Sequence, residues 1–283
     1  DDPFSREREL ERLAGMLPGW ALQGVSTALL FGLIFGLSAT VDYEDFKKRF
    51  REKGGLMTGF LCQFLLLPLV GFLCVKLFDL DHVLGVTLLV TTSSPGGSYS
   101  NWWCSIFNAD MALSVAMTTV SSVASAILLP LNLLLYANVA YGSSVSLDWL
   151  SLLLAILVVI SAVFLGLFSG VVWPDMRPRL STIGNFCGVA LILLGFAFSA
   201  GGGDPIWSRG WRFYAGVALP CVMGLIFSLT ISTVINIPKP QRVAVCIETC
   251  YQNTGIALAV ALSTFDDDDA GVAAGVPGYY QLG

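Results

Sequence analysis

Charge is what this sequence has least of. Asp, Glu, Lys and Arg make up 12% of its 283 residues, about half of the roughly 25% typical of a soluble domain, so a conventional water-facing surface is excluded. Histidine is scarcer still. The single His82 lies beside Asp79 and Asp81 and reads as a solvated loop residue, since a zinc centre needs several ligands. The seven Cys, at 62, 74, 104, 187, 221, 246 and 250, fall almost all in apolar runs without a CxxC pair; they read as small buried hydrophobes rather than a disulfide or metal framework. No HExxH or GxSxG occurs, and only one carboxylate lies inside an apolar run, which removes metalloprotease, hydrolase and carboxylate-dyad chemistry. An enzyme is not expected.

Apolar residues fill the space instead. They are 55% of the chain, and the mean hydropathy is +0.75. A helix needs about 20 mainly apolar residues to cross roughly 30 Å of hydrocarbon. Such runs lie at about 20–40, 55–78, 83–107, 111–137, 149–173, 180–200, 211–235 and 242–265, so the expected fold class is an all-α polytopic membrane protein. A ninth run, GVAAGVPGYYQLG from Gly271, is too short to cross and reads as a truncated last helix. Residues 1–19 are charged and helix-prone, lack the apolar core of a secretory signal, and are expected to form a tail or interfacial helix. Asp266 to Asp269 lack EF-hand spacing and read as a solvated external loop.

The basic residues set the orientation. Lys47, Lys48, Arg49, Arg51 and Lys53, then Arg177 and Arg179, then Lys239 and Arg242 follow the first, fifth and seventh runs, so these loops share one side, which the positive-inside rule assigns to the cytoplasm. The N-terminus is then external. The plasma membrane is the expected location, with an organelle envelope as the alternative. Partners are expected to be membrane lipid and a small organic solute, with no nucleic acid; the oligomeric state is left open.

Two runs are interrupted. SSPGGSYSN (93–101) places Pro95, Gly96 and Gly97 in the third, and ETCYQNTG (248–255) packs a carboxylate, amides and hydroxyls into the eighth. Non-helical backbone at membrane depth persists only where protein or a cavity satisfies its polar groups. The breaks are about 150 residues apart and occupy corresponding places in two halves, the pattern of a transporter site between inverted repeats. The expected division is a first repeat at 20–137, with its broken helix at about 83–107, and a second at 138–283, with helices from about 149 and its broken helix at about 242–265. One break alone reads equally well as an ordinary kink.

Glu248 is the acidic residue inside a run. A carboxylate there costs about 2.5–3.5 kcal/mol on insertion scales, and no Lys or Arg lies mid-run to pair with it. A mobile cation or a proton is its expected partner. Gln252, one helical turn on, shares its face, and an unwound segment exposes the carbonyls of Thr249 and Tyr251. Ser114 and Thr118 repeat the same spacing, although such hydroxyls also serve helix packing. Gln63 is an isolated amide in CQFLLLPL.

These same residues resemble the bile acid:sodium symporter family. PGGSYSN (95–101) is similar to that family's P-G-G-x-x-S-N and ETCYQN (248–253) to its E-T-G-x-Q-N; GLSATVDYEDFKKRF, QFLLLPL and NADMALSVAMTT match further segments. The resemblance implies a nine-helix form lacking its last helix, with a panel of helices 1, 5 and 6 and a core of helices 2, 3, 4, 7 and 8 in which two broken helices cross. It implies two Na+ ions. One would bind Ser100, Asn101, Ser114, Thr118 and Glu248; the other Gln63, Glu248, Gln252 and the carbonyls of Thr249 and Tyr251. Substrate, an organic anion such as a bile acid, a steroid conjugate or a small carboxylate, would lie at Gly97, Ser98 and Asn253. Cys250 departs from the family Gly. Trp102 and Trp103 read as core packing ahead of substrate lining. The implied function is sodium-coupled symport by alternating access, the alternatives being a proton-coupled carrier using Glu248 or a non-transporting receptor.

Overall fold

A computed structural model describes residues 19–40, 44, 47–48, 53–97, 100–142, 149–201, 206–265 and 267–280. The expected N-terminal helix and Ser98 lie outside them. The described chain is built of helices that follow the apolar runs: α1 (Gly19–Ser38), α2 (Lys53–Phe78), α3a (His82–Ser93) and α3b (Ser100–Ile106), α4 (Met111–Tyr141), α5 (Trp149–Val172), α6 (Arg177–Gly201), α7 (Trp211–Val234), α8a (Lys239–Cys250) and α8b (Thr254–Thr264), and α9 (Asp267–Tyr280).

Acidic residues between the runs do specific local work. Asp81 accepts from the Leu84 N–H at 3.0 Å and Asp110 from the Leu113 N–H at 3.0 Å, capping α3a and α4 by satisfying amides that a helix start leaves free. Asp79, at φ 50°, ends α2 in the left-handed region. The acidic tetrad differs from its expected loop: Asp267 to Asp269 form the first turn of α9, where carboxylates complement the helix dipole. His82 differs too. It is half-buried, with ring neighbours Tyr141 at 5.5 Å and Phe265 at 6.1 Å, because capping by Asp81 starts a helix at His82 instead of leaving it in solvent. All seven cysteines are free, and only Cys187 is not fully buried.

The surface is apolar where a soluble protein's would be polar. Leu65, Phe168 and Phe186 are 60%, 60% and 72% exposed, while Glu248, Gln63, Ser100 and Ser114 are fully buried. This inverted distribution suits hydrocarbon surroundings. Lys53–Phe78 and Trp211–Val234 are long and apolar enough to cross it unaided. The protein is an all-α polytopic membrane protein.

Helices α1, α5 and α6 pack together, α1 against both of the others. A side chain at Gly36 would strike the Leu180 carbonyl and the Gly184 backbone, so small residues are what let α1 and α6 approach closely. The second group, α2, α3, α4, α7, α8a and α9, carries the breaks, and α8b lies against α1 and α5 as well as against α3a and α9. Helix α9 is buried through Ala270, Ala273, Ala274 and Val276.

Candidate functional site

The two breaks meet. Gly96 and Gln252 form an antiparallel bridge; Gly97 N–H donates to the Tyr251 carbonyl at 2.7 Å, and Asn253 N–H donates to the Pro95 carbonyl at 2.9 Å. Each interruption therefore supplies the backbone partners that the other lacks, which is how non-helical chain survives at this depth. The Gly96 N–H reaches a third element, donating to Ser121 Oγ of α4 at 3.1 Å.

The glycines are required by contact. A Cβ at Gly97 would lie 2.6 Å from the Gln252 carbonyl oxygen and 3.0 Å from that of Tyr251, and one at Gly96 would strike Glu248 Oε2 and come within 2.8 Å of Gln63 Nε2.

Glu248 lies in the last turn of α8a, which stays wound through Cys250, so the break itself is only Tyr251–Asn253. Its Oε1 accepts from Ser100 Oγ at 2.6 Å and from Ser114 Oγ, and its Oε2 from Thr118 Oγ1 at 2.9 Å. Ser114 and Thr118 are one turn apart on α4, the spacing that puts both on one face. Each hydroxyl has one hydrogen to give. Ser100 nevertheless has a second acceptor, the Gly97 carbonyl at 2.5 Å, and Thr118 a second, the Ser114 carbonyl at 3.2 Å. The pocket holds more oxygen lone pairs than hydrogens, and none of Glu248's bonded partners among the described residues is a cation. Such a set fits a hard cation.

On the other side of Glu248 the amides converge. Gln63 Nε2 donates to the Glu248 carbonyl at 2.7 Å and Gln252 Nε2 to the Thr249 carbonyl at 2.6 Å. Both amide oxygens, Gln63 Oε1 and Gln252 Oε1, are buried without a hydrogen-bond partner. A buried acceptor left unmade costs about 1–3 kcal/mol, and two such acceptors suit a hard cation.

The structure thus brings together Gln63, Ser100, Ser114, Thr118, Glu248, Thr249, Tyr251 and Gln252. Asn101 is the second residue of α3b, and its side chain lies outside the described set, as does all of Ser98. Gly97 sits in the bridge, and Asn253 is buried, its Oδ1 capping α8b by accepting from the Ile256 N–H at 3.2 Å.

The description of the Sodium Bile acid symporter family matches residues 27–203, more than half of the chain. The chain belongs to that family.

Relatives within reach include the ileal sodium/bile acid cotransporter of Homo sapiens, 27% identical over 92% of this chain and 75% of that protein. The P3 protein of Bos taurus is 30% identical over 82% of this chain and 50% of its own length. The sodium-dependent organic anion transporter of Bos taurus is 30% identical over 60% of this chain and 46% of that protein. As a sodium bile acid symporter family member the chain is a transport protein of the symporter type. The matched segment holds Gln63, Ser100, Ser114 and Thr118 and ends before Glu248, which the folded crossing brings beside them.

Two features bear on how this member departs from the family motif. Cys250 is buried and turns toward α7, where a Cβ at Gly224 would be 3.9 Å from its Sγ; the added side chain leaves the bridge intact. Trp103 lies tilted against Tyr251, ring centroids 5.6 Å apart, and stacks on Phe107 at 6.0 Å, so it packs behind the break. The side chain of Trp102 is outside the described set.

Ser121 went unnoticed in the sequence although the signal was there: Ser114, Thr118, Ser121 and Ser125 recur at helical spacing in α4. Ser121→Ala leaves the Gly96 N–H buried without an acceptor. The expected result is a loss of about 1–3 kcal/mol in stability, read as a lower Tm, together with weaker sodium protection against unfolding.

Proposed function

We propose that this chain is a secondary active symporter that couples two Na+ ions to an organic anion by alternating access. The observation that carries the reading is Glu248, a fully buried carboxylate in an oxygen-rich pocket at the point where two broken helices cross. One ion lies among Ser100, Asn101, Ser114, Thr118 and Glu248. The second lies at Gln63, Gln252 and Glu248, with the carbonyls of Thr249 and Tyr251 alongside.

Two positive charges shared by one carboxylate leave a net positive site. Both ions bind across the junction of α3 and α8, so each favours the crossed arrangement and makes the other's binding easier, which is coupling in the thermodynamic sense. The anion then binds beside the crossing, near Gly97, Ser98 and Asn253, where helix N-termini at α3b and α8b and the bound ions attract negative charge. Bile acids, steroid conjugates and small carboxylates are the substrate class. Residues 20–137 and 138–283 form the two repeats, and the group α1, α5 and α6 is the panel against which the rest rocks. The protein resides in the plasma membrane with an external N-terminus.

Proteoliposomes holding the full-length protein should accumulate at least one labelled anion from a set of bile salts, steroid sulfates and small carboxylates under an inward sodium gradient, and not under a potassium gradient. Uptake driven by a pH gradient without sodium would replace this reading with proton coupling. Binding without accumulation would make the protein a receptor.

A further inference from the structure

The winding of α2 changes at the level of the ion site, and the cause is Pro68. Proline has no N–H, so the carbonyl four residues earlier, that of Phe64, loses the partner an α-helix would provide. The helix widens there. Cys62–Leu66 is wound as a π-helix, with the Leu67 N–H bonded to the Cys62 carbonyl five residues back; π-turns are rare and concentrate at functional sites.

The Phe64 carbonyl finds its donor elsewhere. Asn132 of α4 gives its Nδ2–H at 3.0 Å, a contact between residues 68 apart in sequence. Asn132 is half-buried within the otherwise apolar PLNLLLY segment, where an amide without a partner is costly. The widened turn buries Cys62, Gln63 and Phe64 while Leu61 and Leu65 face outward at 46% and 60% exposure. Gln63 projects from the middle of this turn to the Glu248 carbonyl.

We propose that Asn132 is a positioning residue for the Gln63 cation site. By holding the carbonyl that Pro68 leaves free, it stabilises the π-turn that delivers the Gln63 amide to Glu248. Loss of the extra residue from the turn would rotate the flanking segments relative to each other by about 100°, enough to take Gln63 off the site. The inference rests on the reading of Gln63 and Gln252 as cation ligands. Groups that orient a metal ligand from behind commonly change affinity by about 10–100-fold when removed.

The test is binding of radiolabelled sodium to full-length protein in detergent, with choline keeping the ionic strength constant, alongside thermal unfolding in choline alone. Asn132→Leu should weaken sodium binding about tenfold or more. Pro68→Ala restores an N–H at position 68 that can donate to the Phe64 carbonyl and lets the helix rewind, so it should weaken sodium binding while raising Tm in choline. That combination of signs is one that structural damage does not produce, and it keeps the test decisive if Asn132→Leu fails to fold. In a Gln63→Ala background, Asn132→Leu should cause no further loss. Unchanged sodium affinity in Asn132→Leu or Pro68→Ala, or an equal loss in the Gln63→Ala background, overturns the proposal. Unchanged sodium binding in Gln63→Ala itself overturns instead the assignment of Gln63 as a ligand, and the proposal with it.

Discussion

Glu248→Gln is expected to reduce sodium-dependent uptake by about 100-fold or more while leaving a folded protein. The substitution keeps the shape of the side chain and removes its charge. The ions proposed to share the carboxylate would become buried charges without an opposite partner, a situation that costs about 3–5 kcal/mol, and each 1.4 kcal/mol is about tenfold in affinity. The three hydroxyls that serve Glu248, on Ser100, Ser114 and Thr118, retain one carbonyl oxygen to donate to, so the pocket does not lose all of its bonds. Thermal unfolding separates binding from folding. In choline the variant should unfold near the parent's temperature, since no bonded cation among the described residues is stranded. In sodium at 100 times the parent's Kd, the parent gains about 2.7 kcal/mol of protection and the variant should gain little. Sodium-driven uptake at the parent's rate in Glu248→Gln would refute the mechanism.

Gly97→Ala is expected to have the second largest effect, and for a different reason. The added methyl meets the carbonyl oxygens of Gln252 and Tyr251, which are backbone and cannot turn aside as a flexible side chain can. The crossing must open, and the bonds from Gly97 to Tyr251 and from Asn253 to Pro95 lengthen with it. Overpacking of this kind costs about 1–3 kcal/mol, seen as a fall in Tm. Transport should fall by about tenfold, because Ser100 on one side of the bridge and Glu248 on the other no longer hold their hydrogen bond. Gly24→Ala is the matched control: nothing lies within 4 Å of a Cβ there, so uptake and Tm should both hold. A Gly97→Ala protein with undiminished sodium-dependent uptake would show that the bridge is not needed.

Much of this site was legible residue by residue. Pro95, Gly96 and Gly97 in one apolar run, and Glu248 with Gln252 and Asn253 in another, conflict with their surroundings locally, and a local conflict can be read from a local window. The same is true of Ser114 and Thr118, whose spacing is a property of one helix. The boundaries of the helices were readable for the same reason, since hydrocarbon thickness sets their length. Where short-range readings went astray, a neighbour in space was involved. His82 is held between Tyr141 and Phe265, and the carboxylates at 267–269 begin a helix whose following alanines are buried.

The sequence by itself determined the helices, the two places where they break and the kinds of atom available there, because these follow from hydrophobicity, from proline's missing N–H and from side-chain chemistry. Tertiary structure alone decided which atoms meet: that the Gly97 amide answers the Tyr251 carbonyl, that Ser121 answers Gly96, that Asn132 answers Phe64, and that Gln63 reaches the main chain of Glu248. Apart from proline, every residue carries the same backbone hydrogen-bonding groups, and a serine hydroxyl or a side-chain amide can serve any of them, so nothing in their chemistry names a partner. Only the packing of α2, α3, α4 and α8 around the crossing brings one within hydrogen-bonding distance of another.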